Sequence, residues 1–317
     1  MKLPQKVIQI GDLPPILEEG LVEHFTTHKF SNPQEASDFI DKHGSEIDAL
    51  VARSVFGADA ALMDRLPNIK IIGNFGVGYD QVDLRAAAER DIVVTNTPDV
   101  LTECVADLAF GLLISIARQI GTSDRFVRRK AWPGQPVYPL TSSVHKKKLG
   151  IVGLGRIGQA IAARGAGFGM EMRYHNRNPI PGLEQAYEAS LPGLAEWADY
   201  LVVAVVGGSG TDKLINAEVL KALGPSGYLI NIARGSVVDE PALVRALVNG
   251  QIAGAGLDVF VNEPQVPDEL LDLDNVVLTP HMASGTHETR AAMGDLVLQN
   301  LLSFFKTGKA LTLVGLA

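Results

Sequence analysis

The stretch Leu149-Gly150-Ile151-Val152-Gly153-Leu154-Gly155-Arg156-Ile157-Gly158 runs an apolar segment straight into G-x-G-x-x-G. Gln159-Ala160-Ile161-Ala162-Ala163-Arg164 then continues with helical composition. Few folds admit that order. A buried parallel strand must end in a tight turn, and the turn must open a helix whose free N–H groups face an anion such as a pyrophosphate. Gly153 makes the turn, Gly155 lets the backbone approach phosphate, and Gly158 lets helix and strand pack closely. A bare glycine pattern in a chain with 32 glycines says little. The strand-like Gly169-Met170-Glu171-Met172-Arg173-Tyr174, about twenty residues on, makes the pattern specific for a dinucleotide-binding βαβ unit.

Strand-like apolar runs alternate with helical stretches through the rest of the chain. They fall at residues 6–10, 49–52, 69–73, 92–96, 150–153, 171–174, 200–205, 228–232, 254–257 and 276–279. Several are apolar without interruption, as expected of strands covered on both faces. Alternating βα units predict an α/β class with parallel sheets. The 317 residues suffice for about two domains. The glycine-rich turn lies mid-chain, and the first hundred residues hold a βα pattern of their own. The expected architecture is therefore two doubly wound parallel-sheet domains, a Rossmann coenzyme domain (99–286) inserted into a flavodoxin-like substrate domain built from 1–98 and 287–317. Residues 101–119 read as one long helix, and residues 288–305 as a second. Crossing helices of that kind predict a cleft with hinges near Pro98 and Gly285.

The net charge of −8 disfavours nucleic acid as a partner. Met1 to Ile10 carries no long apolar run of a secretory leader, and the most apolar helix candidate, residues 108–117, is too short to span a bilayer. A cytoplasmic protein without membrane or metal partners is the expectation. The single cysteine, Cys104, excludes an internal disulfide and reads as a small buried hydrophobe.

Three strand ends in the second half carry ionisable residues. They are Asn231-Ile232-Ala233-Arg234-Gly235-Ser236, Asp258-Val259-Phe260-Val261-Asn262-Glu263-Pro264 and Pro280-His281-Met282-Ala283-Ser284-Gly285-Thr286. The carboxyl ends of strands line the ligand crevice of an open α/β sheet, so Arg234, Glu263 and His281 can converge there. An arginine can hold a carboxylate and polarise a carbonyl. A histidine can supply a proton, and a neighbouring carboxylate favours its charged form. Together they suit reduction of a 2-oxo acid. Singly, each also fits a structural role.

With Gly76-Val77-Gly78-Tyr79-Asp80 and Thr95-Asn96-Thr97-Pro98-Asp99-Val100-Leu101-Thr102, these motifs stand in the order found in the D-isomer-specific 2-hydroxyacid dehydrogenases, which the chain resembles along nearly its whole length. Within that family it looks most like the glyoxylate/hydroxypyruvate reductases and hydroxyphenylpyruvate reductases. The resemblance implies Arg234, Glu263 and His281 as the catalytic set. It implies that the N–H groups of Val77 and Gly78 hold the substrate carboxylate and that Asp258 contacts the nicotinamide carboxamide. Cofactor contacts are also implied at Gly153, Leu154, Gly155, Arg156, Ile157, Gly158, Val205, Val206, Ile232, Ala233, Ser284 and Gly285. Val206 departs from the pattern, because related reductases commonly carry proline there. A homodimer is implied, in which Trp132 either reaches the partner's substrate site or packs as a core or interface aromatic. Ser54 and Trp132 are the expected contacts to the substrate side chain, which leaves glyoxylate, hydroxypyruvate and aryl pyruvates open.

An NAD site usually places Asp or Glu at the end of its second strand, against the ribose 2′-hydroxyl. Here that end reads Tyr174-His175-Asn176-Arg177-Asn178-Pro179, with no acid. Arg177 can pair with a 2′-phosphate, Asn176 can donate a hydrogen bond, and Asn178 extends the same turn. NADP(H) is therefore the preferred cofactor, with NAD(H) possible if Arg177 only stacks on adenine. The alternatives are an NADH-preferring dehydrogenase of another hydroxy acid and a dinucleotide-sensing, corepressor-like binding protein.

Overall fold

A computed structural model describes residues 2–315 and divides the chain into two compact units. One is built from both chain ends, residues 1–101 and 284–317; the other is the middle, residues 102–283. Each unit is a parallel sheet with helices, as the alternating apolar runs predict.

The unit of chain ends holds β1 (Lys6–Ile10), β2 (Thr26–Phe30), β3 (Ala49–Arg53), β4 (Ile71–Phe75) and β5 (Val93–Thr95), in the order β2-β1-β3-β4-β5. This is the flavodoxin-like order, with its switch point between β1 and β3. β4 is buried at every residue, because strands flank it on both sides and helices cover its faces. β2 does not show in the sequence as an apolar run. It is the edge strand, and no residue of Thr26-Thr27-His28-Lys29-Phe30 is fully buried. The helix His287–Thr307 packs Met293, Val297, Leu298 and Leu301 inward, close to the predicted span. The chain then returns along the sheet edge, where Leu313 bridges Thr95 in antiparallel fashion and the Val314 N–H donates to the Val94 carbonyl at 2.9 Å.

The middle unit holds β6 (Lys148–Val152), β7 (Glu171–His175), β8 (Tyr200–Val203), β9 (Tyr228–Asn231), β10 (Gly254–Leu257) and β11 (Val276–Leu278). Their order is β11-β10-β9-β8-β6-β7, all parallel. A lone parallel bridge between Tyr174 and Tyr187 lies beyond β7, where the Rossmann order has a further strand. The switch point therefore falls between β6 and β8, which pair with Val152 opposite Val203.

The long helix expected over residues 101–119 spans Thr102–Ala117, and a second helix, Ile120–Arg128, follows it at a bend of 59°. Gln119 sits between them in the left-handed region at φ 50°, which no helix continues through. The first helix buries eight residues; the second buries none. Among the described residues no single helix is long and apolar enough to cross a membrane. Cys104 is half-buried rather than buried, and its Sγ donates to the Ala283 carbonyl at 3.1 Å.

Candidate active site

The glycine-rich turn follows β6 at the switch point. Gly153 has φ +95°, and a Cβ there would lie 2.8 Å from the backbone nitrogen of Val205, so only glycine fits. A Cβ on Gly158 would come within 2.2 Å of the Gly153 carbonyl oxygen, which locks the helix start against the strand. A Cβ on Gly155 would meet nothing within 4 Å. The turn is thus closed on its protein side and open on the other. Gly155 caps the helix Arg156–Gly167 without any side-chain hydrogen bond to its first N–H groups. An open turn and an uncapped helix start fit the phosphates of a dinucleotide.

The turn is tied to the end of β7. The Leu154 N–H donates to Asn176 Oδ1 at 2.8 Å, and the Leu154 side chain is buried. The Leu154 N–H and its side chain are thus both engaged inside the protein. Asn176 keeps Nδ2 as its donor, while Arg177 and Asn178 are exposed beside it. Arg156 is exposed at the helix start, Ile157 half-buried. Val205 lies against Gly153, and Val206 is exposed.

Arg234, Glu263 and His281 follow β9, β10 and β11, three consecutive strands of one sheet. Their carboxyl ends share one edge, which brings the ionisable residues together. Glu263 Oε2 lies 2.6 Å from His281 Nδ1, and Glu263 Oε1 accepts the Phe260 N–H at 3.0 Å. Burial works against charge on Glu263. The hydrogen bonds from His281 and Phe260, with the charges of His281 and Arg234, outweigh it and hold the carboxyl below its ordinary value. An ionised carboxylate on Nδ1 fixes a proton there and leaves Nε2 as the ring's other polar atom. Arg234 is half-buried and folds Nη1 onto the Ala233 carbonyl at 2.8 Å. Ile232 and Ala233 beside it are buried.

Buried polar side chains hold this arrangement. Asn231 closes β9, with Oδ1 accepting the Ala233 N–H at 3.1 Å and Nδ2 donating to the Arg234 carbonyl at 2.9 Å. Asp258 is 0% exposed. Its Oδ1 accepts the Thr279 hydroxyl at 2.6 Å and the Met282 N–H at 2.8 Å, and its Oδ2 accepts the Ala283 N–H at 2.9 Å. The Asp258 carbonyl accepts the His281 N–H at 2.9 Å. With these bonds Asp258 clamps the turn that carries His281, which stands at φ 48°. Sequence reasoning placed Asn231 and Asp258 within motifs but missed these tasks. A buried polar residue closing an apolar strand was the available signal.

The remaining expected site residues belong to other places. Ser54, Val77, Gly78, Ser284 and Gly285 lie in the unit of chain ends. Trp132 is 56% exposed, with Nε1 donating to the Pro136 carbonyl at 3.2 Å, so it is no core aromatic of this chain.

Asp258→Asn sets an amide NH2 against a backbone N–H on one side of the clamp. We expect a loss of about 1–3 kcal/mol in urea unfolding, the cost of an unmade buried hydrogen bond. Hydrogen exchange at Met282 and Ala283 should rise with it. Wild-type stability in that variant would remove the clamp.

A family model described as the NAD binding domain of D-isomer specific 2-hydroxyacid dehydrogenases matches residues 110–283. A hydroxyphenylpyruvate reductase of Plectranthus scutellarioides is 46% identical over 305 residues, 96% of this chain and 97% of that protein. A glyoxylate/hydroxypyruvate reductase A of Arabidopsis thaliana is 44% identical over the same shares. Among solved structures, an NADPH-dependent glyoxylate/hydroxypyruvate reductase from Sinorhizobium meliloti, in complex with NADP and malonate, superposes with a TM-score of 0.92. It is 46% identical, over 99% of this chain and 97% of that one. With the glycine-rich turn and the three strand ends in place, these likenesses settle the family: the chain belongs to the D-isomer specific 2-hydroxyacid dehydrogenases.

Proposed function

We propose that this chain reduces small 2-oxo acids (glyoxylate, hydroxypyruvate and aryl pyruvates) to D-2-hydroxy acids with NADPH. The observation that carries the reading is the 2.6 Å contact of Glu263 with His281 Nδ1, at strand ends shared with Arg234 in the unit that holds the glycine-rich turn. The names of the relatives from Plectranthus, Arabidopsis and Sinorhizobium support the substrate class.

The roles proposed for the residues are these. Gly153, Gly155, Gly158 and Arg156 hold the pyrophosphate of the cofactor, and Ile157, Val205, Val206, Ile232, Ala233, Ser284 and Gly285 border it. Arg177, with Asn176 Nδ2 and Asn178, takes the 2′-phosphate, where a carboxylate would repel it. Bound NADPH supplies the hydride. Arg234 polarises the 2-oxo group. His281, its Nδ1 proton held by Glu263, passes the Nε2 proton to the substrate oxygen. In the unit of chain ends, the N–H groups of Val77 and Gly78 receive the substrate carboxylate, and Ser54 lies beside them.

A homodimer is part of the same proposal. Trp132, Val137 and Leu140 stand exposed on one stretch, Leu140 at 98%, and two adjoining copies would cover them. Sedimentation velocity should give a species near twice 33.8 kDa. A monomer at micromolar concentration would remove this part and the role of Trp132 in a partner's site.

The function is tested by initial rates with hydroxypyruvate, glyoxylate and phenylpyruvate, each with NADPH and with NADH. Turnover should favour NADPH, and Arg177→Ala should weaken NADPH about tenfold or more by removing a charge-assisted pair while leaving NADH nearly unchanged. Equal loss for both cofactors would overturn the 2′-phosphate assignment. Binding of NADPH without turnover of any 2-oxo acid would favour a dinucleotide-sensing protein.

His281→Ala should lose about 10²–10⁴ in kcat and keep its NADPH affinity. Glu263→Gln should lose activity too, with a pH signature in stability. The Glu263 carboxyl lies lower in the folded protein than its ordinary 4.5, so its contribution is fully present above that pH. It is lost as the pH falls through the lowered folded value. The gap in Tm between wild type and Glu263→Gln should therefore be widest near neutrality and close in strong acid. A gap that widens in acid would contradict the ion pair.

A further inference from the structure

Residues 76–78 leave β4 through Gly76, at φ +151°, where a Cβ would stand 2.5 Å from Ser54 Oγ. Three successive carbonyls of this loop are held from behind. Asn74 Nδ2 donates to the Gly76 carbonyl at 3.2 Å and to the Gly78 carbonyl at 2.8 Å. Asn96 Nδ2 donates to the Val77 carbonyl at 2.8 Å, and the Thr97 N–H adds a second bond to Gly76 at 3.0 Å. Asn74 and Asn96 are both buried, at 1% and 8% exposure.

In a trans peptide the C=O of one residue and the N–H of the next point in opposite directions. Fixing the carbonyls of Gly76, Val77 and Gly78 therefore fixes the N–H groups of Val77, Gly78 and Tyr79, which turn away from the asparagines. Among the described residues these three N–H groups have no acceptor, and the three residues are half-buried rather than enclosed. Successive free N–H groups make an anion-binding concavity.

The brace continues into the C-terminal segment. The Thr312 hydroxyl donates to the Asn96 carbonyl at 2.7 Å and accepts Asn300 Nδ2 at 2.8 Å. Asn300, fully buried on the helix His287–Thr307, takes the N–H groups of Leu311 and Thr312 on Oδ1, both at 2.9 Å. One chain of hydrogen bonds thus runs from that helix through Asn300, Thr312 and Asn96 to the loop.

We propose that Asn74, Asn96 and Thr312 are positioning residues that aim the 77–78 amides at the substrate carboxylate, so that the C-terminal strap sets affinity for the 2-oxo acid. The inference rests on the assignment of that carboxylate to Val77 and Gly78. Mutual support explains why a loop with two glycines can hold a fixed concavity. Loops of that composition are otherwise mobile, and a mobile donor pair would lose its affinity to ordering entropy.

The test compares Asn96→Ala, Thr312→Val and Thr312→Ser with wild type. Thr312→Val keeps the shape and loses the hydroxyl; Thr312→Ser keeps the hydroxyl. Steady-state kinetics with hydroxypyruvate, NADPH affinity from cofactor fluorescence and hydrogen exchange of residues 74–80 are read together. Asn96→Ala should raise KM for hydroxypyruvate about tenfold and Thr312→Val about threefold, with kcat within about twofold. NADPH affinity should not move, residues 74–80 should exchange faster in both variants, and Thr312→Ser should return to wild type. Unchanged exchange would overturn the brace itself. Faster exchange with unchanged KM would overturn its link to the substrate by placing the carboxylate elsewhere. A parallel fall of kcat, NADPH affinity and Tm, not rescued by serine, would reduce the three residues to structural roles. If wild type turned over no 2-oxo acid, the functional reading would fall, and the exchange rates would still decide the brace.

Discussion

Parallel pairing sends every carboxyl end of a sheet to the same edge, and the loops that leave that edge cannot stay in the ladder. Their N–H and C=O groups need partners, because burying them unpaired is costly. This chain meets the need with short polar side chains at or beside the last strand positions. Asn74 is the last residue but one of β4, Asn231 closes β9, and Asp258 follows β10 directly. Each holds the loop just beyond a strand, and each is at most 1% exposed. Satisfaction of the backbone and placement of the chemistry are one structural act. The side chain that relieves an orphan N–H also decides where the next ionisable group stands.

The same economy governs charge. A carboxylate that is buried alone tends to take up a proton, yet Glu263 is pulled the other way by a histidine contact, a backbone N–H and the field of Arg234. Glu263 is the link between the groups, not a bystander. It keeps one oxygen for the Phe260 N–H, which fixes its own loop, and the other for His281, which fixes the imidazole tautomer. The protein carries a net charge of −8, so attraction for anionic ligands must come from local donors. Arg234, the Gly155 turn and the exposed Arg177 are the donors to which the proposed function assigns that task.

Much of this was legible in the residues. Runs such as Tyr200-Leu201-Val202-Val203 announce strands covered on both faces, and the glycine spacing after Val152 announces the phosphate turn, because both report strong local constraints. What was not legible depended on neighbours distant in sequence. β2 is an edge strand whose polar composition hides it, and it is defined by pairing with β1. The break between Thr102–Ala117 and Ile120–Arg128 has no proline or glycine at the hinge itself; Gln119 makes it by standing in the left-handed region. The tasks of Asp258 and Asn96 are invisible for the same reason. Their partners lie twenty or more residues away for Asp258, and on the far C-terminal strap for Asn96.

Asn176 shows how one atom of a side chain can serve two levels of the structure. Its Oδ1 accepts the Leu154 N–H and so joins the end of β7 to the glycine-rich turn. An aspartate could make that bond equally well, since both residues offer a carbonyl-type oxygen. The two differ only in the remaining atom, an NH2 donor here and a negative oxygen there. The fold therefore places no constraint on the choice between them, and the ligand does. A donor beside the exposed Arg177 suits a phosphate, whereas a second negative oxygen would accept a hydroxyl and repel a phosphate. Because its structural bond consumes only one of its two polar atoms, the residue just after β7 keeps the other for a ligand.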